Sequence, residues 1–281
     1  MLTEKTLGRI SFAADENGAE LHSLRLDDEE YLWQCGDAWK RYAPVLFPFI
    51  CSPASGSYRA GGREYRMPGN HGFARDSMFE KTAETETSVT YSLTSNDKTR
   101  QWYPYDFRLE ITYALISGGV EVRHTVKNNG SGTMYFYLGG HPAFICDIEA
   151  GESFIEYEKP ETIVQPTPDG QRTVLDNAAR LPLNREQFRY DVIMKDAPES
   201  GAVTLRKPDG GYVKLSFPDS GCIAVWTGTS ADAQFICLEP WTSVPVYADD
   251  DTPDIENKAH AKALAAGGEY SYVYRIEIGK A

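Results

Sequence analysis

The stretch that decides the fold is FRLEITYALISGGVEVRHTVKNNGSGTMYFYL, residues 107–138. Apolar and polar residues alternate from Phe107 to Leu115, and the alternation resumes from Val120 to Val126. A period of two is typical of a strand that buries one face. The turn signals Ser117-Gly-Gly119 and Asn128-Asn-Gly-Ser-Gly132 separate these runs from each other and from Met134–Leu138. The stretch therefore predicts three consecutive strands in an antiparallel meander.

The remainder of the chain repeats this pattern of short apolar runs between turn residues. Further strand-like runs are Gly8–Ala13, Ala19–Leu26, Ala202–Arg206, Tyr212–Phe217, Cys222–Thr227, Gln234–Leu238 and Tyr270–Ile278. Only Ile255–Ala266 has a helical composition, and the Pro-containing stretch 159–170 is interpreted as a surface loop. Many short strands at regular spacing favour an all-β fold. We expect one domain over residues 1–281: a single large antiparallel β-sandwich with one short helix near the C-terminus.

Composition excludes several classes of function. The 281 residues carry a formal net charge of −13, which disfavours binding to nucleic acid and to anionic membrane surfaces. The chain begins without a signal-like segment and contains no run of 18 apolar residues, so we expect a cytoplasmic protein. Its five cysteines are widely spread and form no C-x-x-C pair, and Cys237 is interpreted as a small core residue.

Three short motifs place titratable side chains among glycine, proline and aromatic residues. They are HGFAR at 71–75, GGHPAF at 139–144 and CLEPW at 237–241. They supply His71, Arg75, His141 and Glu239, a set that could move protons on a polyhydroxylated substrate without a metal or an organic cofactor. Glu239 follows an apolar run, so we expect burial to raise its pKa towards that of a general base that works near neutrality. The alternatives are structural ion pairs, including one between Arg75 and Asp76.

The other polar candidates have simpler interpretations. His22 and His260 carry no partner signature, and His124 lies on the valine face of a predicted strand, where a packed histidine is the expected role. The acidic run 249–254 lacks the glycine and the terminal glutamate of an EF-hand loop, which makes it a solvated loop.

The three motifs, in this order and at these separations, resemble the aldose 1-epimerase (galactose mutarotase-like) family, and its LacX-like branch in particular. The resemblance spans residues 5–278. It implies a β-supersandwich and a cofactor-free interconversion of the α and β anomers of an aldose. It also implies that Glu239 is the general base and His141 the general acid. His71 and Asp191, within FRYD at 188–191, would bind the sugar.

One departure from the family pattern concerns specificity. Many relatives carry an arginine after the Phe47-Pro48 pair, where this chain has Ser52, and Arg59, Arg66 or Arg75 could substitute for it. We expect a neutral aldose rather than a hexose 6-phosphate as substrate, bound by a monomer or a homodimer. The rival functions are a non-catalytic carbohydrate-binding or sensing protein on the same fold, and a glycosidase. A glycosidase would need a second carboxylate beside Glu239, from Asp191 or Asp76.

Overall fold

A computed structural model describes residues 1–149 and 151–280. The strands of the first half are β1 Thr3–Leu7, β2 Ile10–Ala14, β3 Leu21–Leu26, β4 Glu29–Glu30, β5 Val45–Leu46, β6 Ser57–Ala60, β7 Arg63–Arg66, β8 Glu80–Glu84, β9 Ser88–Thr94, β10 Phe107–Ile116, β11 Gly119–Asn128, β12 Met134–Phe136, β13 Gly139–Gly140 and β14 Ala143–Ile145. Those of the second half are β15 Phe154–Thr167, β16 Gly170–Pro182, β17 Ile193–Asp196, β18 Ala202–Arg206, β19 Gly211–Ser216, β20 Cys222–Trp226, β21 Phe235–Trp241, β22 Lys262–Leu264 and β23 Glu269–Lys280. Helix α1 spans Asp97–Trp102, and four 3₁₀ turns cover Ala74–Asp76, Arg185–Phe188, Val246–Asp249 and Ile255–Asn257.

The all-β sandwich is confirmed. A nine-stranded sheet in the order β16-β15-β18-β19-β23-β11-β10-β9-β8 forms one layer, and a six-stranded sheet built around β20 and β21 faces it across the core. Strand β10 alternates strictly between buried and half-buried residues, as its sequence predicts. Because Phe107, Leu109, Ile111, Tyr113 and Leu115 share the buried face, that face forms part of the core between the layers.

The meander prediction is correct for two of its three strands. β10 and β11 pair without a register break from Phe107–Asn128 to Ile116–Gly119. The third run, β12, leaves this sheet and pairs with β22, while β23 occupies the free edge of β11. The side-chain amide of Asn128 donates to the carbonyls of Gly132 and Leu264, which turns the chain away from the sheet.

The predicted helix at Ile255–Ala266 is wrong. A 3₁₀ turn occupies Ile255–Asn257, and strand β22 follows at Lys262–Leu264. The buried ammonium of Lys258 donates to the carbonyls of Asp249 and Thr252, so this segment folds back on the acidic loop instead of continuing a helix. The α-helix in the described residues is α1, where Asn96 and Thr99 form a capping box.

The stretch 159–170 is not a loop. Most of it belongs to β15, which forms a ribbon with β16 that extends beyond the end of β18. Glu161, Ile163 and Gln165 are buried on one face, whereas Pro160 and Pro166 are exposed. Proline is tolerated here because β15 has a free edge beyond its short pairing with β18.

Candidate active site

Strand β21 carries Glu239 within a run of seven buried residues in the middle of the six-stranded sheet. The neighbouring strand is interrupted. Gly139 of β13 pairs with Trp241, and Ala143 of β14 pairs with Cys237. The register is the same on both sides of the gap, so His141, midway between the two strands, lies opposite Glu239. Nε2 of His141 is 3.0 Å from Oε2 of Glu239, which confirms that the two side chains share one cleft.

Burial dominates the electrostatics of this pair. His141 is 6% exposed and Glu239 is 1% exposed. Burial raises the pKa of the Glu239 carboxyl well above its usual value, and the nearby Asp191 carboxylate adds to the rise. Burial lowers the pKa of the His141 imidazole to about 3. Both shifts have the same cause, since a buried environment penalises the charged form of each group. The two groups therefore share one exchangeable proton over a wide pH range.

His71 completes the imidazole pair, with its ring 5.4 Å from that of His141 and nearly perpendicular to it. Its backbone N–H donates to the carbonyl of Cys51, and the N–H of Cys51 donates to Nδ1 of His71 at 2.9 Å. Nδ1 is thus an acceptor, and the proton of the neutral ring lies on Nε2. Burial lowers the pKa of His71 well below its usual value, so the ring stays neutral and is a hydrogen-bond donor through Nε2.

The backbone around His71 depends on the glycine that follows it. His71 and Gly72 both have left-handed conformations, with φ of 61° and 75°. A Cβ on Gly72 would lie 2.2 Å from the carbonyl oxygen of Phe47. Only glycine fits there, because both the space and the dihedral angle exclude a side chain.

Asp191 lines the same cavity and lies two residues before β17, an edge strand of the six-stranded sheet. It has a φ of 69°, and Oδ1 accepts a hydrogen bond of 2.7 Å from Nε1 of Trp226. The amide of Gln165 donates to the carbonyl of Val192 and fixes the turn. One carboxylate oxygen of Asp191 is thus held by the protein, and the other is available to a ligand hydroxyl.

Arg75 also lines the cleft, and the ion pair that it forms with Asp76 is a loose one. Its Nε is 3.7 Å from Asp76, beyond hydrogen-bond distance, and has no hydrogen-bond partner in the described residues. Asp76 binds Arg41 instead, at 2.6 Å. The side chain of Arg75 is 17% exposed, and its guanidinium is therefore available to a ligand in the cleft.

The other predicted arginine substitutes lie elsewhere. Arg59 pairs with Asp254 at 2.8 Å, and Arg66 is exposed on the β6–β7 hairpin. Ser52 makes long contacts of 3.3–3.4 Å to Gly69 and Asn70, outside the cleft lining. Of the three candidates, only Arg75 reaches the cleft.

These groups surround a cavity of about 310 Å³. Its lining consists of Trp39, Cys51, Asn70, His71, Arg75, His141, Asp191, Val192, Trp226, Glu239 and Trp241. A larger groove of about 660 Å³ lies elsewhere, but none of its described lining residues carries an imidazole or a carboxylate. Of these two spaces, the smaller cavity is therefore the one lined by groups that can give and take protons. Apart from the 3.0 Å contact between His141 and Glu239, Nδ1 of His141, Oε2 of Glu239 and Nε1 of Trp241 are buried there without a hydrogen-bond partner among the described residues, as expected of a site that binds a polar ligand.

Sequence reasoning missed the aromatic wall of the cavity. Trp39 stacks on the His141 ring at 5.1 Å and 26°, and Trp226 contacts the same ring edge-on at 5.7 Å. Trp39 lies in a loop with no turn motif or periodicity that would have identified it. Trp226 lies near the end of the predicted strand Cys222–Thr227, and that position was only a weak indication of a residue in the site.

The remaining histidines lie outside the cavity lining. His124 is fully buried against Tyr272 and Tyr274, with both ring nitrogens unpartnered. His22 stacks on Tyr42 at 4.1 Å, and His260 contacts Asp249 through Nδ1 at 2.6 Å. The acidic run is thus partly structural, because Asp249 also accepts from the hydroxyl of Tyr137. No helix in the described residues is long and apolar enough to cross a membrane.

Comparisons with known proteins agree with this geometry. The profile of the aldose 1-epimerase family matches residues 6–277. The chromosomal protein LacX of Lactococcus lactis subsp. lactis is 32% identical over 250 residues, which cover 81% of this chain and 83% of LacX. A galactose mutarotase related enzyme from Lactobacillus acidophilus superposes with a TM-score of 0.91 at 26% identity, over 100% of this chain and 98% of that one. A galactose mutarotase-like protein from Lactobacillus casei gives a TM-score of 0.89 at 28% identity, over 99% and 100%. The chain belongs to the aldose 1-epimerase family.

Proposed function

We propose that this protein is a mutarotase that interconverts the α and β anomers of a neutral free hexose, without a cofactor. The observation that carries the proposal is the 3.0 Å contact between His141 and Glu239 inside the cavity. Mutarotation needs one acid and one base that act on the two oxygens of the anomeric carbon. Since those oxygens are bonded to the same atom, an acid and a base one hydrogen-bond length apart match the reaction.

The proton path follows from the state of the pair. A carboxylate with an imidazolium holds as many protons as a carboxylic acid with a neutral imidazole, so one transfer across the contact produces the reactive form. Glu239 then takes the proton of the C1 hydroxyl, while His141 donates a proton to the ring oxygen and the C1–O bond of the ring breaks. Rotation about C1–C2 and closure with the roles reversed give the other anomer.

The surrounding residues hold the sugar during this exchange. Nε2–H of His71 and the guanidinium of Arg75 donate to sugar oxygens, and the free oxygen of Asp191 accepts from a sugar hydroxyl. Trp39 and Trp226 pack on the His141 ring and fix its orientation. The open-chain aldehyde stays bound because several directional contacts hold the hydroxyl groups that do not react.

The charges of the lining favour a neutral sugar over a sugar phosphate. Arg75 is the cation among the described lining residues, and Asp191 is a carboxylate in the same cavity. A phosphate usually requires more than one convergent donor of positive charge. The glycosidase alternative is disfavoured, because the close partner of Glu239 is an imidazole. Of the two carboxylates that such an enzyme could use, Asp191 lines the cavity but is bound by Trp226, and Asp76 is bound to Arg41 outside the lining.

The test is anomer exchange measured by NMR on a panel of free hexoses and their 6-phosphates. Glu239→Gln and His141→Asn should each lower the rate constant about 10²- to 10⁴-fold. His124→Gln, a histidine substitution outside the cavity, should stay within a few-fold of wild type. Binding of hexoses without acceleration of exchange would favour the non-catalytic alternative. A preference of tenfold or more for a 6-phosphate that Arg75→Ala abolishes would refute the neutral substrate.

A further inference from the structure

Cys237 lies next to the acid–base pair, although it does not line the cavity. It precedes Glu239 by two residues on β21, so both side chains project from the same face of the strand. Across the interrupted strand it pairs with Ala143, two residues beyond His141. The sulfur, a ring nitrogen of His141 and a carboxylate oxygen of Glu239 all lie within 4.8 Å of one another. In the described part of the chain, no other three side chains of these types meet that spacing.

We propose that His141, Cys237 and Glu239 form an inhibitory binding site for a thiophilic divalent cation such as Zn²⁺. Thiolate, imidazole and carboxylate are the ligands that Zn²⁺ takes in proteins, and three protein ligands with one open position are typical of an accessible zinc site. Because His141 and Glu239 line the cavity, water there can occupy the fourth position.

Charge balance supports the site. A thiolate and a carboxylate carry two negative charges, and a neutral imidazole adds none, so the three ligands neutralise one divalent cation. The net charge of the buried site is then zero, which avoids the cost of an uncompensated ion. On binding, the thiol proton and any proton on the carboxyl group are released to solvent.

The geometry needs a small adjustment. A tetrahedral zinc site places ligand atoms about 3.5 Å apart, so the longest separation in the cluster must shorten by about 1 Å. The histidine and glutamate atoms are already 3.0 Å apart. Apart from this mutual contact, Oε2 of Glu239 has no hydrogen-bond partner in the described residues, and Nδ1 of His141 has none either, so neither side chain is held by another group through these atoms. Cys237 belongs to a buried cluster with Phe235, against which Trp39 and Trp226 pack, so the site has an apolar surround.

A cation bound at this site should inhibit anomer exchange. This part of the inference rests on the proposed function. A bound cation would occupy the lone pairs of both the acid and the base, so it should compete with the sugar. Loss of an outer-shell partner alone typically lowers metal affinity 10- to 100-fold, and loss of a ligand should cost about a hundredfold. Cys237→Ala should therefore raise the half-inhibitory concentration of Zn²⁺ about a hundredfold with basal exchange unchanged.

The experiment uses one test variant and two controls. Cys146→Ala removes another buried free thiol, and its sensitivity to Zn²⁺ should equal that of wild type. Cys51→Ala removes the thiol that lines the cavity. Equal inhibition of wild type and Cys237→Ala would overturn the proposal, as would loss of inhibition in Cys51→Ala. Cys237→Ser provides a second test if the alanine variant is unstable in thermal unfolding.

A second readout is independent of catalysis. Cd²⁺ bound to a thiolate produces an ultraviolet charge-transfer band, which should appear at one ion per chain in wild type. The band should disappear in Cys237→Ala and weaken in Glu239→Gln. A band with this dependence in a protein that exchanges no anomers would support the site and refute the proposed function. Anomer exchange without any band would refute the site alone.

Discussion

His124, a buried histidine of the sandwich, should make the free energy of unfolding depend on pH. Substitution of this residue should remove its contribution to that dependence. His124 is fully buried on β11 between Ile111 and Tyr272 of the neighbouring strands, and neither ring nitrogen has a partner in the described residues. Burial lowers its pKa to about 3. In the unfolded chain, the pKa of a histidine is about 6.5.

The sign of the effect follows from proton binding. Below about pH 6.5 the unfolded state binds a proton at His124 and the folded state does not, so the free energy of unfolding falls as the pH falls. The loss is complete only near the folded pKa of about 3. Between pH 7 and pH 4 it amounts to about 3 kcal/mol, since each pKa unit is worth about 1.4 kcal/mol.

The perturbation is His124→Leu, which keeps the side chain similar in volume and removes the titrating group. Urea denaturation followed by circular dichroism at several pH values from 4 to 7 gives the free energy of unfolding for variant and wild type. We expect the wild type to lose about 3 kcal/mol more than the variant over this range. Other buried histidines contribute equally to both proteins, so the difference isolates His124.

A matched control is Val122→Ala on the same face of β11, where the residue is also fully buried. That substitution should lower the free energy of unfolding by a similar amount at every pH, because it removes no titrating group. Parallel pH curves for wild type and His124→Leu would refute the reasoning, since they would show that the folded protein binds the proton at His124 as readily as the unfolded chain does.

Three further predictions concern the cavity. Gly72→Ala should destabilise the fold by several kcal/mol in urea denaturation and should slow anomer exchange, because a Cβ at this position would lie 2.2 Å from the Phe47 carbonyl oxygen. A variant as stable as wild type would contradict this prediction. Trp226→Phe should raise KM several-fold with a smaller change in kcat, because Asp191 loses its 2.7 Å hydrogen bond from Trp226. An unchanged KM would show that Trp226 does not position Asp191 for sugar binding. The pH profile of kcat/KM should stay level from about pH 7 to about pH 5 and fall towards pH 3. Near that pH His141 becomes protonated, so that the His141–Glu239 pair holds two protons instead of one. A steep fall near pH 6 would show that His141 titrates as an exposed histidine.

The sequence predicted strands more reliably than their partners. The alternation in β10 and β11 identified both strands and their pairing, because side-chain period and turn chemistry are local properties. The position of β12 depends on Asn128, whose side chain bonds to Leu264, 136 residues further along the chain. A contact of this range leaves no periodic signal in the chain. The failed helix has a nearer cause, since the Lys258 ammonium is buried among the carbonyls of the preceding loop rather than exposed on a helix, and such loop contacts are not periodic either.

The polar residues of the candidate site were predictable, whereas the aromatic wall was not. Glu239, His141 and His71 each stand in a motif whose glycines and prolines restrict the backbone, and such motifs can be recognised in one dimension. Trp39 has no such surroundings, and it reaches His141 only because its loop folds across the sheet.

The glycines of the GGHPAF motif serve the packing of a strand, whereas a pair of glycines usually indicates a turn. Gly139 and Gly140 are not turn residues; they form the short strand β13, and neither has a positive φ among the described angles. Their lack of a side chain matters for packing instead, because a Cβ would lie 2.6 Å from Trp241 at one position and 2.6 Å from Tyr274 at the other. Pro142 has no N–H to donate, so the ladder opens at this point while the carbonyl of Pro142 still accepts from Leu238. Glycine brings the strand close to β21, proline opens the pairing, and the unbroken register on either side sets His141 opposite Glu239. The contact between His141 and Glu239 is therefore a consequence of strand pairing, and a substitution that shifts this register by one residue should turn His141 away from Glu239 without changing either residue.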